Sequence, residues 1–410
     1  MQFIQVSDRV KFGYASLATF LVVWLACMIA LAIVFEPSMY FFSYYSVDYT
    51  MGFVRRGLAG ELLHLFPGES YFTRLLTLRW LVSAIFIVSL TAVAWMVGAK
   101  SGRSERRVML ALLIPVLPFG FTFAVFCPHP DLFAGAALAV FAVVLASVKL
   151  DRTIVFASAA YGLTMALLTF VHEGVPLLFS LGAILAVLAL AAESSPTIQR
   201  ICMLLAIAPG LLVTLITGLV GRRGISAQLC GLVPHQAVDW PAAGKLTMGQ
   251  MMKGQHVYVD YHDWVCRNIV SRFDQTPNEA SSFVASVGAG ALISSLVFGI
   301  FVFAVTILTM RYVSGVPFTR FWEALRGRLL WLTLGAVLML PVFLTAVDWT
   351  RWWVTISFDV CLVYVLYASV QPEIAQPPTR RTRVLFVVGL VLFALFPIGT
   401  IPNLGIPVPV

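Results

Sequence analysis

Asp48 stands seven residues ahead of an adjacent arginine pair, in the run Ser46-Val47-Asp48-Tyr49-Thr50-Met51-Gly52-Phe53-Val54-Arg55-Arg56. A carboxylate can take a proton from an attacking hydroxyl. Two neighbouring guanidiniums suit bidentate binding of a phosphate. A second acid and base pair, His129 and Asp131, sits between prolines in Cys127-Pro128-His129-Pro130-Asp131. Asp131 is better suited to start the following helix, although the prolines would hold both polar groups at the membrane surface. A third pair is His172-Glu173, in a short turn between two apolar runs, where ionisable groups need a partner or a wet cavity. Arg222 and Arg223 open a long polar stretch whose middle reads His256-Val257-Tyr258-Val259-Asp260-Tyr261-His262-Asp263-Trp264. Aromatic faces interleaved with acids suit a sugar ring, which marks Tyr258, Asp260, Tyr261, His262, Asp263 and Trp264. The same stretch can belong instead to a folded interfacial lid. Its histidines and aspartates could ligate a divalent metal, but their spacing matches no metal signature, so no cofactor is expected. Asp348 and Arg351, three residues apart in Asp348-Trp349-Thr350-Arg351-Trp352-Trp353, can pair on one helix face. Asp359 lies deeper in the same apolar run. It is expected to pair with an arginine or to stay protonated by burial.

The elements that carry these residues are apolar. The 410-residue chain is 60% hydrophobic and 11% charged, with a mean hydropathy of +0.92. Soluble domains carry about 25% charge. The composition excludes a soluble enzyme, a nucleic-acid binder and a disordered scaffold. The reading is an all-α polytopic membrane bundle with about eleven spans. They fall near residues 15–36, 79–98, 108–126, 131–149, 153–170, 174–192, 200–220, 286–310, 329–347, 353–370 and 384–401. Residues 1–410 form one transmembrane domain with two larger loops, 37–78 and 221–285. Within the first, apolar positions 51, 54, 58, 62 and 65 repeat at helical spacing, which predicts an interfacial amphipathic helix over Met51–Phe66. Asp48 occupies a natural start position for it. Arg55 and Arg56 then bind phosphate or snorkel to lipid headgroups.

Charge sets the orientation. With the N-terminus in the cytoplasm, 16 of the 27 basic residues fall in short loops on one side. All six histidines then face the other side. The expected location is a bacterial inner membrane, with the chemistry on the periplasmic face. The short loops hold no phosphate-cradling glycine motif, so no ATP is expected to drive it. Cys230 and Cys266 share the long outer loop, where an oxidising compartment permits a disulfide. The third outer cysteine, Cys127, leaves the pairing open.

The layout resembles that of the GT-C-fold, lipid-sugar-dependent glycosyltransferases. Asp48, ahead of the Met51–Phe66 segment, matches the position of that family's catalytic acid. His172-Glu173 and Asp348/Arg351 are similar in kind to its later outer-turn polar residues. The resemblance implies transfer of a sugar from a polyprenyl-phosphate donor to a glycan or glycolipid acceptor, among membrane lipids and without nucleic acid. In that scheme Asp48 is the base, and Arg55, Arg56, Arg222 and Arg223 hold the donor phosphate. His129, Asp131, His172, Glu173, Asp348 and Arg351 orient donor or acceptor. The long loop with Arg222 and Arg223 also resembles that of O-antigen polymerases and ligases. A transporter or flippase is the third expectation, although no internal repeat marks one.

Overall fold

The computed structural model describes residues 8–34, 39–66, 68, 70–99, 104–239, 249–250 and 253–396. In chain order its main elements are α1 (Asp8–Val34), α2 (Gly57–His64), α3 (Tyr71–Ala99), α4 (Glu105–Leu113) and α5 (Phe121–Phe126). Then come α6 (Asp131–Ser147), α7 (Asp151–Thr169), α8 (Val175–Leu190) and α9 (Pro196–Val220). The long loop folds as β1 (Ala237–Asp239), β2 (Tyr258–Asp260), α10 (Tyr261–Asn268) and α11 (Pro277–Ser286). The last group is α12 (Ala289–Ser314), α13 (Phe318–Leu325), α14 (Leu329–Val337), α15 (Leu340–Thr345), α16 (Trp349–Ser369) and α17 (Arg380–Leu395).

The protein is mostly helical, and among the described residues seven helices are long and apolar enough to cross a membrane. They correspond to α1, α3, the broken α4–α5 unit, α7, α9, α12 and α16. The other expected spans take different forms: the last, near 384–401, is α17 (Arg380–Leu395), and its positions 397–401 lie outside the described residues. The segment at 329–347 joins α13 through a bend of 100°. Gly327, at φ +81, supplies the left-handed residue between α13 and α14. The segments at 131–149 and 174–192 are the shorter helices α6 and α8. The chain is also not purely helical, because β1 and β2 pair antiparallel in the long loop.

Burial explains the short helices. α8 is apolar all round and almost wholly buried, packed among α6, α7, α9 and α16. A helix that is hydrophobic on every side must be surrounded by protein or lipid. Its 16 residues rise only about 24 Å, less than the roughly 30 Å of hydrocarbon. The turn ahead of α8 carries His172, which is buried, and Glu173, which is partly so; Asp131, in the first turn of α6, is buried as well. α7 and α9 pack closely because Gly162 has no Cβ; one built there would lie 1.9 Å from the carbonyl oxygen of Leu205.

The residues of the short basic loops pair with one another at the far end of the bundle. Arg383 grips Glu105 through two nitrogens at 2.6 and 2.8 Å, and Tyr14 donates to the same acid. Lys149 meets Glu193, and Arg320 meets Glu373. Arg106 and Arg107 hold backbone carbonyls of Gln376, Val313 and Ser369.

Candidate functional site

The first loop folds back on α2. Gly60 N–H donates to the Val47 carbonyl at 3.0 Å, and a Cβ on Gly60 would lie 2.4 Å from that oxygen. Tyr49 N–H donates to Glu61 at 3.1 Å. The expected helix over Met51–Phe66 is shorter, and Asp48 does not start it. α2 begins at Gly57, and its cap residue is Arg56. Asp48 instead closes a tight turn, accepting the Thr50 N–H at 2.9 Å, with His64 Nε2 3.6 Å from its other oxygen. Partial burial works to raise the Asp48 pKa, but the Thr50 and His64 contacts outweigh it and hold the carboxyl below its ordinary value. Its side chain is 20% exposed, so an ionised carboxylate faces solvent.

Arg56 has φ +62, the one left-handed non-glycine residue among the described residues. Such strain is held by surrounding structure. Here Glu173 supplies the restraint, accepting from Arg56 Nε at 2.7 Å and from its terminal nitrogen at 2.8 Å. Arg55 lies 3.6 Å from the same carboxylate and donates to the Arg272 carbonyl. Burial alone would raise the Glu173 pKa, but the Arg56 guanidinium drives it well below the carboxylate range. Both arginines cover the Phe273 ring, and Arg56 also lies 5.0 Å above Tyr44.

Tyr44 is the centre of a buried polar cluster. Its ring meets His129 at 4.0 Å and His172 at 5.3 Å between centroids. Asp131, in the first turn of α6, does not cap the helix with its side chain. Its two oxygens instead lie 2.6 Å from His172 Nδ1 and 3.0 Å from His129 Nδ1. Burial, then the nearby Arg351 charge, lowers the His129 pKa to about 3, so this imidazole is neutral. Arg79 and Ser83 on α3 hold this turn by donating to the carbonyls of Val125 and Ala124 at the end of α5.

On the other side of Tyr44, its hydroxyl lies 2.8 Å from that of Tyr40. Tyr40 donates to Asp348 at 2.8 Å, and Arg351 binds the same Asp348 oxygen at 2.8 Å. Arg351 is only 4% exposed. Its Nε and one terminal nitrogen, with His129 Nε2 and the Tyr45 hydroxyl, are buried without a partner among the described residues. Buried polar groups are nearly always satisfied, so unfilled donors grouped in one place suggest a ligand or water.

The fold therefore joins residues from four separate turns: Arg55 and Arg56, His129 and Asp131, His172 and Glu173, and Asp348 and Arg351. The long loop closes over them. Arg222 donates to the Met51 carbonyl at 2.5 Å and packs on Gly52; Arg223 donates to the Gly218 carbonyl at 2.8 Å. Cys230 and Cys266 are disulfide-bonded. Within the aromatic run, Tyr261 and Trp264 are buried anchors, and Tyr261 shares a hydrogen bond with Tyr71. Tyr258 is 65% exposed, while Asp260, His262 and Asp263 lie together on the ribbon. Asp359 is apart from this site and, among the described residues, from any arginine: it accepts the Gly182 N–H at 3.0 Å, deep in α8.

Sequence reading missed Tyr40, Tyr44, Arg272 and Phe273. The i, i+4 spacing of the two tyrosines places them on one face. Amid so many membrane aromatics, that spacing alone could not single them out.

The chain matches, over residues 14–394, a family described as "Uncharacterised membrane protein Rv1490". It is 41% identical over 410 residues to a Mycobacterium tuberculosis (strain H37Rv) protein described as "Uncharacterized protein Rv1490", covering 99% of this chain and 94% of the relative. A Mycobacterium bovis protein, "Uncharacterized protein Mb1527", is similar to the same extent. No solved structure matches.

Proposed function

The chain belongs to the family of the uncharacterised membrane protein Rv1490, and we propose that it transfers a sugar from a polyprenyl-phosphate carrier to a lipid or glycan acceptor. The reaction takes place at the face where the four turns meet, in a bacterial inner membrane with that face toward the periplasm. The observation that carries this reading is Arg351. It is a buried guanidinium with two unpartnered N–H-bearing nitrogens, in the first turn of a helix whose start carries the half-buried Trp349 and Trp353, while Trp352 packs inside the bundle. Tryptophans of this kind mark headgroup depth, where the phosphate of a lipid carrier lies. A guanidinium with free donors suits that phosphate.

Arg55, Arg56, Arg222 and Arg223 each hold a carboxylate or a carbonyl, as Arg351 holds Asp348, but Arg351 keeps two buried nitrogens without a partner where Arg55 keeps one. Their charge forms a cationic rim, and Arg351 makes the direct contact. Asp48 follows Tyr44 by four residues, so their Cα atoms are at most about 15 Å apart. The half-open Asp48 carboxylate takes the proton of the acceptor hydroxyl. That oxygen bonds to the anomeric carbon as the bond from that carbon to the carrier phosphate breaks. Arg351 stabilises the departing phosphate.

The test is a turnover assay in nanodiscs with short-chain polyprenyl-phosphate sugars and a membrane glycan extract. Wild type should release free lipid phosphate. Asp48→Asn should lose turnover while keeping carrier binding, and Arg351→Gln should lose binding. Full turnover by Asp48→Asn would remove the assignment of the base. Extension of a diphosphate-linked oligosaccharide, with no use of monosaccharide donors, would make the protein a polymerase instead.

A further inference from the structure

The long loop holds a second cluster that the transfer reaction does not use. β1 and β2 pair antiparallel with Ala237 opposite Asp260. Tyr261 N–H donates to the Gln236 carbonyl at 2.9 Å, which carries the pairing one step past the strands. The next residues in that register are His235 and His262. Directly opposed residues on a ribbon bring their side chains together, and the two imidazoles stack with centroids 3.8 Å apart and planes 27° apart. Asp260 lies 3.1 Å from His235 Nδ1, and Asp263 lies 3.0 Å from His262 Nδ1. Ligand atoms of all four residues fall within 4.8 Å of one another.

We propose that His235, Asp260, His262 and Asp263 form a binding site for a divalent transition metal of the zinc class. Imidazole ligates metal through a ring nitrogen in its neutral form. Two nitrogens and two carboxylate oxygens make a four-ligand set that zinc accepts in tetrahedral geometry. Imidazole nitrogen favours zinc over magnesium or calcium, which prefer all-oxygen sites. Bonds of about 2.0–2.2 Å require the side chains to close by an ångström or so. That is a small rotation for residues on a solvent-facing ribbon. The His235 and Asp263 side chains are 67% and 62% exposed, so an ion can reach them from water. The Cys230–Cys266 disulfide joins the two arms just outside the cluster and limits the freedom a metal must remove. The bound ion would be a second cross-link in the cover over Arg272 and Phe273. His256 pairs separately with Asp239 and stays outside the site.

The experiment measures metal and not turnover, so it stands whether or not the transferase reading holds. Full-length protein in detergent is stripped with chelator, dialysed against zinc and analysed for bound metal. Non-reducing gels confirm the disulfide in every sample, because free thiols bind zinc themselves. Stoichiometric zinc is expected in wild type and in His256→Ala, with loss in His235→Ala and His262→Ala. Cobalt should give the visible absorption of a tetrahedral site in wild type and His256→Ala, and not in His235→Ala or His262→Ala. His235→Gln keeps a hydrogen-bonding side chain and controls for folding, with size-exclusion profiles compared throughout. Zinc-free wild type, or zinc retained by the His235/His262 double variant, would overturn the proposal.

Discussion

At the scale of single residues, the outer site is a set of charges held by burial. Glu173 sits between Arg55 and Arg56, and its carboxyl is held well below its ordinary range. A folded pKa lowered in this way stabilises the protein above the unfolded value, about 4.3, and the contribution is lost only as pH falls below it. Glu173→Gln should cost about 1–3 kcal/mol at neutral pH, because it leaves Arg56 without its charged acceptor. It should also free the strained backbone at Arg56. Thermal unfolding in detergent measures the first effect. A stability equal to wild type would mean that Arg56 finds another partner. His129 behaves differently. Its folded pKa of about 3 lies below the unfolded value, about 6.5. The unfolded chain therefore binds a proton that the folded one refuses. Stability should fall as pH drops through that window, by at most ~1.4 kcal/mol per pH unit. His129→Asn should flatten that part of the profile. An unchanged slope in the variant would place the titrating group elsewhere.

At the scale of elements, the sequence was legible where a pattern is local. Apolar runs located the helices, and the position of histidines and acids in the turns picked out His129, Asp131, His172, Glu173, Asp348 and Arg351, which the fold brings into one network. Long-range pairing was not legible. Asp131 looks better suited to a helix start than to a bridge between His129 and His172, because the choice depends on a turn 41 residues away. Asp48 looked like a helix start because apolar spacing extends back to Met51. Yet the chain must reverse through Arg56 before α2 can dock. His235 joins His262 only through strand register, which spacing along the chain does not reveal. Two element-level consequences can be measured. Gly60→Ala would push a methyl group into the Val47 carbonyl, so it should cost about 1–3 kcal/mol and displace the Asp48 turn. Turnover should drop more than expression or size-exclusion behaviour. The Cys230–Cys266 bond closes a separation of 36 residues, for which chain entropy gives about 3–4 kcal/mol. Cys230→Ser should expose the long loop to limited proteolysis while the bundle stays resistant. Equal resistance in wild type and variant would show that Tyr261 and Trp264 anchor the loop without it.

At the scale of the whole molecule, the two ends of the bundle differ in kind. One end carries short basic loops whose charges pair locally, such as Lys149 with Glu193 and Arg383 with Glu105. The other carries the histidines, the buried acids and the ribbon. The basic end should face the cytoplasm, because basic residues in short loops are retained there. Cysteine labelling decides the matter. Cys27 is exposed and should first be replaced by serine, whereas Cys127, Cys202 and Cys361 are buried. Tyr258→Cys then reports on the ribbon end, and Lys149→Cys on the basic end, both at exposed positions. In intact spheroplasts a membrane-impermeant maleimide should label Tyr258→Cys and leave Lys149→Cys untouched until the membrane is opened. The reverse pattern would put the Arg351 site in the cytoplasm. A carrier-linked sugar presented on the periplasmic side could not then be its donor. Labelling of the ribbon alone would put the Asp48 and Arg351 site on the outer face, as the proposed transfer from a carrier lipid requires.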